Sequence, residues 1–298
     1  MENAKSRKNR LINGMNLNKP AIRLLYRLMF LAAALLALIC LFPPLWTILS
    51  GFKDLKEFLA AAPTILPHSF HPEKLWLVWN KYGFLKYYMN SVFMAAGDLL
   101  FSILFNALFG YALSKIKPKG TPLLVKILFW TVLMPNTVSM VPIYKNIIHF
   151  PLLHTSLINT FLPMWFMSGA NAFFVLLFKG FFDGIPTSLI EAADLDGCGM
   201  AGIFARIMLP LSKPIIFVVA IFTLNGSWAN FFWPYMTINE LNMKTMMVRL
   251  FDLSLISRVT ADIRMLAILL AMLPPAVIFL FLHRRIMDGG LNVSGIKG

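Results

Sequence analysis

Charge is scarce in this chain, and acid is scarcer still. Charged residues make up 13% of the 298 positions, against about 25% in ordinary soluble domains. Only 13 of them are Asp or Glu, opposed by 27 Lys and Arg. Such a composition excludes a conventional water-soluble domain. There are two cysteines, Cys40 in an apolar run and Cys198 in a polar loop, so neither a disulfide framework nor a cysteine metal cluster is available. The phosphate-cradling pattern G-x-x-x-x-G-K-[ST] is missing, so the chain is not expected to hydrolyse ATP itself. Neither a zinc-binding H-E-x-x-H nor a G-x-S-x-G nucleophile turn occurs. His149 and His154 lie close in sequence without a neighbouring acid, which fits a surface role better than a metal site. No catalytic residue and no metal ligand is assigned, and no cofactor is expected on this chain. Internal repeats and low-complexity linkers are also absent.

Apolar length is what the chain has in abundance. Hydrophobic residues reach 58%, and several runs approach the roughly 20 residues that cross a bilayer as helix. Spans are expected near 27–49, 90–113, 123–143, 156–178, 212–235 and 263–282. Within a bilayer only helices or closed barrels satisfy every backbone group. Barrel strands alternate apolar and polar residues, whereas Leu31-Ala32-Ala33-Ala34-Leu35-Leu36-Ala37-Leu38-Ile39 does not alternate. The expected fold is all-α, a polytopic membrane bundle of about six helices. Residues 1–26 read as a basic tail, 27–285 as the membrane domain with a polar loop at 181–214, and 286–298 as a second tail.

The formal charge of +14 follows the topology rather than pointing to nucleic acid. With six spans and a cytoplasmic N-terminus, 17 of the 27 Lys and Arg fall inside and 10 outside, which is the bias that orients membrane proteins. Both termini are then cytoplasmic, and the same residues suit contact with anionic lipid. The first span is too long for a signal peptide and lacks a small-residue cleavage pattern, so a retained helix is expected.

Three other regions invite a functional reading. Asp98 is the acid placed deep in a span, where a carboxylate is costly and faces a partner or a cavity. It fits a structural hydrogen bond, a pathway lining or proton coupling. The aromatic group Trp228, Phe231, Phe232, Trp233 and Tyr235 suits either an interfacial belt or stacking on sugar rings. The outer connection 236–262 carries Glu240, Lys244, Arg249 and Asp252, a surface for a partner or a solvated connector. The longest outer segment, 50–89, holds Pro63, Pro67 and Pro72, which argue against one continuous helix.

The polar loop is the most patterned stretch. Gly184 and Pro186 end the preceding helix, and Thr187 or Ser188 can cap a new one. Glu191 is then expected in its first turn, where the helix dipole favours an acid. Gly197 and Gly199 permit a turn. A second helical stretch, Ile203 to Leu209, is expected to end at Pro210. The result is a helix, a turn and a helix across the inner face, able to fit a groove on another protein.

These residues resemble the EAA loop of ABC-importer permeases: Glu191-Ala192-Ala193, Asp196-Gly197, Ile207, Leu209-Pro210 and Pro214. Cys198 stands where a small Ala is common. Asn90-Ser91 opens the second span as in carbohydrate permeases. Trp228-Ala229-Asn230-Phe231-Phe232-Trp233-Pro234 resembles their W-N-x-F-x-W-P segment. Gly290 to Gly298 resembles the tail of maltose-type second permeases, with Asn292 in place of Thr. The resemblance covers essentially the whole chain.

It implies a type I ABC-importer transmembrane domain in a bacterial or archaeal cell membrane. It implies four kinds of partner: a homologous second permease, two ATP-binding subunits that hold ATP and Mg, an extracytoplasmic solute-binding protein, and an oligosaccharide substrate. Glu191, Ala192, Ala193, Asp196, Gly197, Leu209 and Pro210 would couple to the ATPase. Asp98, Asn90, Trp228 and Phe231 would be candidates for lining the path, and Glu240, Lys244, Arg249 and Asp252 for touching the binding protein. The C-terminal tail would meet the ATPases. An ABC permease for a non-sugar solute, or an ion-coupled secondary transporter built around Asp98, remains the alternative.

Overall fold

The computed structural model describes residues 20–62, 64–152 and 154–292, with side chains described between residues 22 and 281. Residues 1–19 of the basic tail and 293–298 of the C-terminal tail lie outside the described residues. The backbone divides into two compact units at His71/Pro72.

The first unit is dominated by α1 (Pro20–Gly51), followed by the single turn α2 (Leu55–Phe58). Pro43 and Pro44 sit inside α1, and the Thr47 hydroxyl donates to the Pro43 carbonyl at 2.9 Å. The segment after α1 folds on itself. The Lys53 ammonium donates to the Thr64 carbonyl and lies 4.7 Å from the Trp46 ring centroid. The Glu57 carboxylate accepts from the Thr64 hydroxyl at 2.5 Å and from the His68 amide at 3.0 Å.

The second unit opens with the short α3 (Glu73–Lys81) and the long α4 (Phe84–Tyr111), which ends in a π-helical turn over Ala112–Ile116. Then come α5 (Thr121–Leu133), α6 (Asn136–Ile148), α7 (Leu162–Gly169) and α8 (Ala172–Asp183). The polar loop supplies α9 (Thr187–Leu195), α10 (Met200–Ile203), a π-helical turn over Phe204–Met208, and α11 (Leu209–Leu211). After it follow α12 (Lys213–Ala229), α13 (Phe232–Thr237), α14 (Met246–Leu255) and α15 (Ala261–Asn292). No strand forms among the described residues; Phe150 and Thr155 make one isolated antiparallel bridge.

Four helical runs, Ile22–Gly51, Phe84–Ile116, Leu162–Asp183 and Ala261–Phe281, are long and apolar enough to cross a membrane. Two bent pairs raise the number to six, α5 with α6 at 103° and Met200–Leu211 with α12 at 78°. Three expected spans are corrected in detail. The span expected at 123–143 is broken at Met134-Pro135. The span expected at 156–178 starts at Leu162 and runs on to Asp183. It is interrupted at Ala170, and the Asn171 side chain there caps α8 by accepting from the Phe174 amide at 3.2 Å. The span expected at 212–235 ends as helix at Ala229. One physical cause runs through these cases. Pro163 and Pro214 occupy the first turns of α7 and α12, and Pro135 is the residue before α6. Proline is favoured where the missing N–H would be unpaired anyway, so these prolines begin helices rather than kink them.

In this unit α4 packs against α7, α8 and α12, and α12 packs against α15. The closest approaches need the smallest residues. A methyl group on Gly110 would lie 2.8 Å from the Phe178 Cβ, and one on Gly97 would lie 2.1 Å from the Trp165 ring.

Candidate functional site

The polar loop folds around its own sequence pattern. Helix α9 ends at Leu195, leaving Asp196 at the cap and Gly197 beyond it with φ +78°. The Gly197 amide donates to the Asp194 carbonyl at 2.9 Å, and the Cys198 amide to the Ala193 carbonyl at 2.9 Å. That pair of bonds is the Schellman arrangement, which satisfies the last free carbonyls of a helix and calls for a left-handed residue, best supplied by glycine. Its usual apolar contact is present too, since Ala193 and Cys198 both join the core beneath. The spacing from Ala193 to Gly197 and Cys198 is therefore a helix stop with a defined exit direction.

Two local expectations are corrected. Neither Thr187 nor Ser188 caps α9, because Thr187 is already its first helical residue and Pro186, at the cap, offers no side-chain acceptor. Glu191 consequently lies in the second turn, not the first. The second helical stretch starts earlier and ends later than Ile203 to Leu209. It begins at Met200, widens into the π-helical turn, and passes through Pro210 to Leu211.

What the loop shows to its surroundings is mixed. Glu191, Ala192, Asp194, Asp196, Gly197 and Pro210 are exposed. So are Leu195 at 90% and Met200 at 65%, large apolar side chains left uncovered on an otherwise acidic surface. Ala193 instead faces inward, and Leu209 is partly buried against the same core. That core gathers Ala193, Ile203, Phe204 and Met208 from the loop with Tyr111 from α4, Phe178 and Phe182 from α8, and Val219 from α12. The exposed helix is thus fixed to three membrane helices through one packed cluster. Close-packed interiors are stiff and transmit displacement.

Within the membrane-spanning part a polar seam runs down one face of α4. Ser91, Asp98, Ser102 and Asn106 are buried along it, at spacings that keep them on one side of a helix. Asp98 is 2% exposed and accepts from the Ser227 hydroxyl of α12 at 2.5 Å. Thr223 of α12 donates to the Ser102 hydroxyl at 3.1 Å. The Asn106 amide donates to the Ser168 carbonyl at 2.9 Å, and its Oδ1 accepts from the Asn171 amide at 3.1 Å. Asn106 thereby ties α4 across the α7–α8 interruption. Ser102, Asn106 and Thr223 carry no motif; the shared face of Ser102 and Asn106 with Asp98 was the signal available in the sequence.

The other path candidates fall in different settings. Asn90 donates to the Asn242 and Lys244 carbonyls at 2.8 and 2.9 Å, pinning the 236–262 connection to the amino end of α4. Trp228 is buried; its ring N–H donates to the Ala271 carbonyl at 2.9 Å and its edge meets Tyr88. Phe231 stacks on Tyr235 and packs on Phe251. It also lines an apolar cleft of about 330 Å³ with Met247, Leu250 and Arg264.

In the 236–262 connection, Lys244 and Asp252 form a half-buried ion pair at 2.8 Å, and the Arg249 guanidinium lies 5.1 Å from the Tyr87 ring centroid. Glu240 is exposed. Leu241 and Leu255, which the sequence did not single out, stand 57% and 68% exposed. Both cysteines are free.

No family model matches the chain. Curated relatives do. The arabinooligosaccharides transport system permease protein AraQ of Halalkalibacterium halodurans is 28% identical over 277 residues, covering 91% of this chain and 96% of its own. The inner membrane ABC transporter permease protein YcjP of Escherichia coli K12 is 29% identical over 271 residues, 89% and 94% of the two chains. The sn-glycerol-3-phosphate transport system permease protein UgpE of Escherichia coli is 27% identical over 259 residues, 84% and 90%. Among solved structures, a chain of a bacterial ABC transporter involved in import of the acidic polysaccharide alginate superposes with a TM-score of 0.80. It is 18% identical and covers 91% of this chain and 99% of that one. The chain is a homologue of ABC-transporter permease subunits, multi-pass membrane components without catalysis of their own, and it has the fold of an ABC-importer transmembrane domain.

Proposed function

We propose that this chain is the permease subunit of an ATP-driven oligosaccharide importer, forming half of the translocation path and coupled to its ATPases through residues 187–211. The observation that carries the reading is the joint described above. An exposed acidic helix ending in the uncovered Leu195, followed by the equally uncovered Met200 at the start of α10, is fixed by one apolar cluster to α4, α8 and α12. Docking of an ATPase on Glu191, Ala192, Asp196 and Gly197 would displace the helix, and the cluster would carry that displacement into the membrane bundle. Alternating access follows if α4, α8 and α12 move as a body. Ala193 and Leu209 act from below, by holding the docking surface in place.

The partners are a homologous second permease, two ATP-binding subunits holding ATP and Mg, and an extracytoplasmic binding protein. A relative named for arabinooligosaccharides and a structural neighbour solved with an alginate pentasaccharide-bound periplasmic protein support that assembly and substrate class. The loop faces the cytoplasm in this reading, with both chain termini on the same side, in a bacterial or archaeal cell membrane. The segment 236–262 faces the binding protein, through Glu240 and the exposed Leu241 and Leu255 more than through Lys244, Arg249 and Asp252, whose charges are engaged within the fold.

Reconstitution of the complex in vesicles tests this. Oligosaccharide uptake should require ATP and the binding protein, and cargo should stimulate ATP hydrolysis. Uptake that survives loss of the ATPases and collapses with an ion gradient would show a secondary transporter instead.

A further inference from the structure

A second site lies beside the coupling helix, where two membrane-length helical runs end. The run Phe84–Ile116 and the run Leu162–Asp183 bring their ends to a cleft of about 500 Å³. Lys115, Lys117 and Lys179 line it with Ser114, Asp183 and Thr187. The carboxylate of that lining is already engaged on both oxygens, by the Ser114 hydroxyl at 2.6 Å and the Lys179 ammonium at 2.6 Å. Lys115 reaches across to the Ile185 carbonyl at 2.6 Å and so holds the start of the coupling segment against the wall. Lys117 is exposed, with a left-handed backbone at φ +50° that ends the π-helical turn. Three ammonium groups against one carboxylate leave an excess of positive charge.

A separate feature points the same way. Thr187 is both a wall of this cleft and the first residue of α9, a nine-residue helix whose cap, Pro186, has no side-chain acceptor. Its first-turn amides are therefore uncapped, and helix N-termini with free amides bind anions, phosphate above all. A lysine cluster, an uncapped helix start and a cleft converge at the depth where the apolar runs stop. In a bilayer that is the headgroup level.

We propose that this cleft binds the phosphate headgroup of an anionic phospholipid, held by Lys117 and Lys179 and the amino end of α9. Bound lipid would brace the base of the coupling helix on the membrane surface. This rests on the orientation proposed above, which places the cleft at the inner leaflet. Lipid retention is read without transport, so either reading can fail without the other.

The test is native mass spectrometry of the complete transporter in detergent, titrated with dioleoylphosphatidylglycerol, dioleoylphosphatidylcholine or inorganic phosphate. Wild-type complex should retain phosphatidylglycerol in preference to phosphatidylcholine, and inorganic phosphate should not displace it. The double variant Lys117→Gln with Lys179→Gln should weaken retention by about thirtyfold, the effect of removing two cations beside an anionic headgroup. Lys117→Arg with Lys179→Arg should restore it. If the double variant does not assemble, Lys117→Gln alone, at an exposed position, replaces it with a smaller loss expected. Equal retention of the two lipids, retention unchanged by the Gln variants, or displacement by free phosphate would overturn the proposal.

Discussion

Replacing Gly197 separates backbone shape from side-chain size at the coupling helix. Its φ of +78° lies in the left-handed region, and a methyl group added there would meet no atom within 4 Å. Steric clash within this chain is therefore excluded, and the cost of Gly197→Ala to the fold of the loop is the backbone term alone. For an ordinary L-residue that term is about 1–2 kcal/mol. At about 1.36 kcal/mol per factor of ten, the end of α9 would hold its docking shape roughly fivefold to thirtyfold less often. Asparagine tolerates this conformation and serves at the same helix position, so Gly197→Asn should stay close to wild type. Gly197→Asp has a similar backbone tolerance, but it adds a carboxylate beside Glu191, Asp194 and Asp196, all exposed. It should abolish docking through charge while the protein still inserts. Gly199→Ser is the control, because φ there is −65° and the surroundings are equally open.

The assay is the affinity of each reconstituted variant for the ATP-binding subunits, with oligosaccharide uptake measured in parallel. Wild type, the Gly199→Ser control and Gly197→Asn should bind most tightly, then Gly197→Ala, then Gly197→Asp. If Gly197→Ala and Gly197→Asn bound the ATPases equally well, the left-handed turn would not be what the docking surface needs. If the loss instead grew with side-chain volume regardless of type, close contact of the ATPase at Gly197, and not the left-handed backbone, would be responsible.

Three further outcomes follow from the same geometry. Phe204→Ala removes a ring from the cluster under the loop and should cost about 3–5 kcal/mol locally. ATPase binding would largely survive while cargo-stimulated ATP hydrolysis falls; unchanged stimulation would argue against the cluster as the transmitting part. Asp98→Asn keeps an acceptor for the Ser227 hydroxyl, so uptake and its pH profile should hold. Asp98→Leu strands that hydroxyl, at about 1–3 kcal/mol, and should lower the melting temperature; an inactive Asn variant would point to proton coupling. Outside the membrane, the Thr64 hydroxyl, more than the His68 amide or Lys53, holds the Glu57 carboxyl below its usual value. A depressed carboxyl supports the fold above its unfolded pKa and loses that support as pH falls through the folded one. The protection factor of the His68 amide, its exchange corrected for the intrinsic pH dependence, should therefore fall on acidification below the ordinary glutamate range, and a protection factor independent of pH would refute the link.

The parts of this molecule that were legible in its sequence are those where chemistry forbids alternatives. Long apolar runs such as 31–39 have one stable form in a bilayer, so an all-helical bundle could be read directly. Gly197 was legible as a turn because a polar, glycine-bearing break between apolar runs must leave the helix somewhere. The helix interruptions were less so. Pro135, Pro163 and Pro214 fall inside the expected spans, yet each stands at a helix start, and composition alone does not tell a first turn from an interior one. The charges of 236–262 are a different case. Lys244, Arg249 and Asp252 look like a polar surface in sequence, but tertiary structure pairs Lys244 with Asp252 and lays Arg249 over Tyr87. Leu241 and Leu255 escaped notice because an exposed leucine and a buried one are the same letter.

The polar seam on α4 decides which helices can move together. Apolar helix faces in a membrane slide with little penalty, because lipid tails are as apolar as the side chains they replace. Directional hydrogen bonds do not slide. Asp98 to Ser227 and Ser102 to Thr223 fix the register of α4 against α12, and Asn106 fixes it against the α7–α8 break. At the amino end of α4 Asn90 and Ser91 hold 242–246 to the same helix. At its other end Tyr111 enters the cluster beneath the polar loop. On the proposed coupling, a push on that loop would reach the 236–262 connection along a single helix whose neighbours are locked to it, with no sliding interface in between. The bent pair α5–α6 supplies none of the bonds in this series. In the reading proposed here it forms the flank past which the locked helices turn when access switches sides.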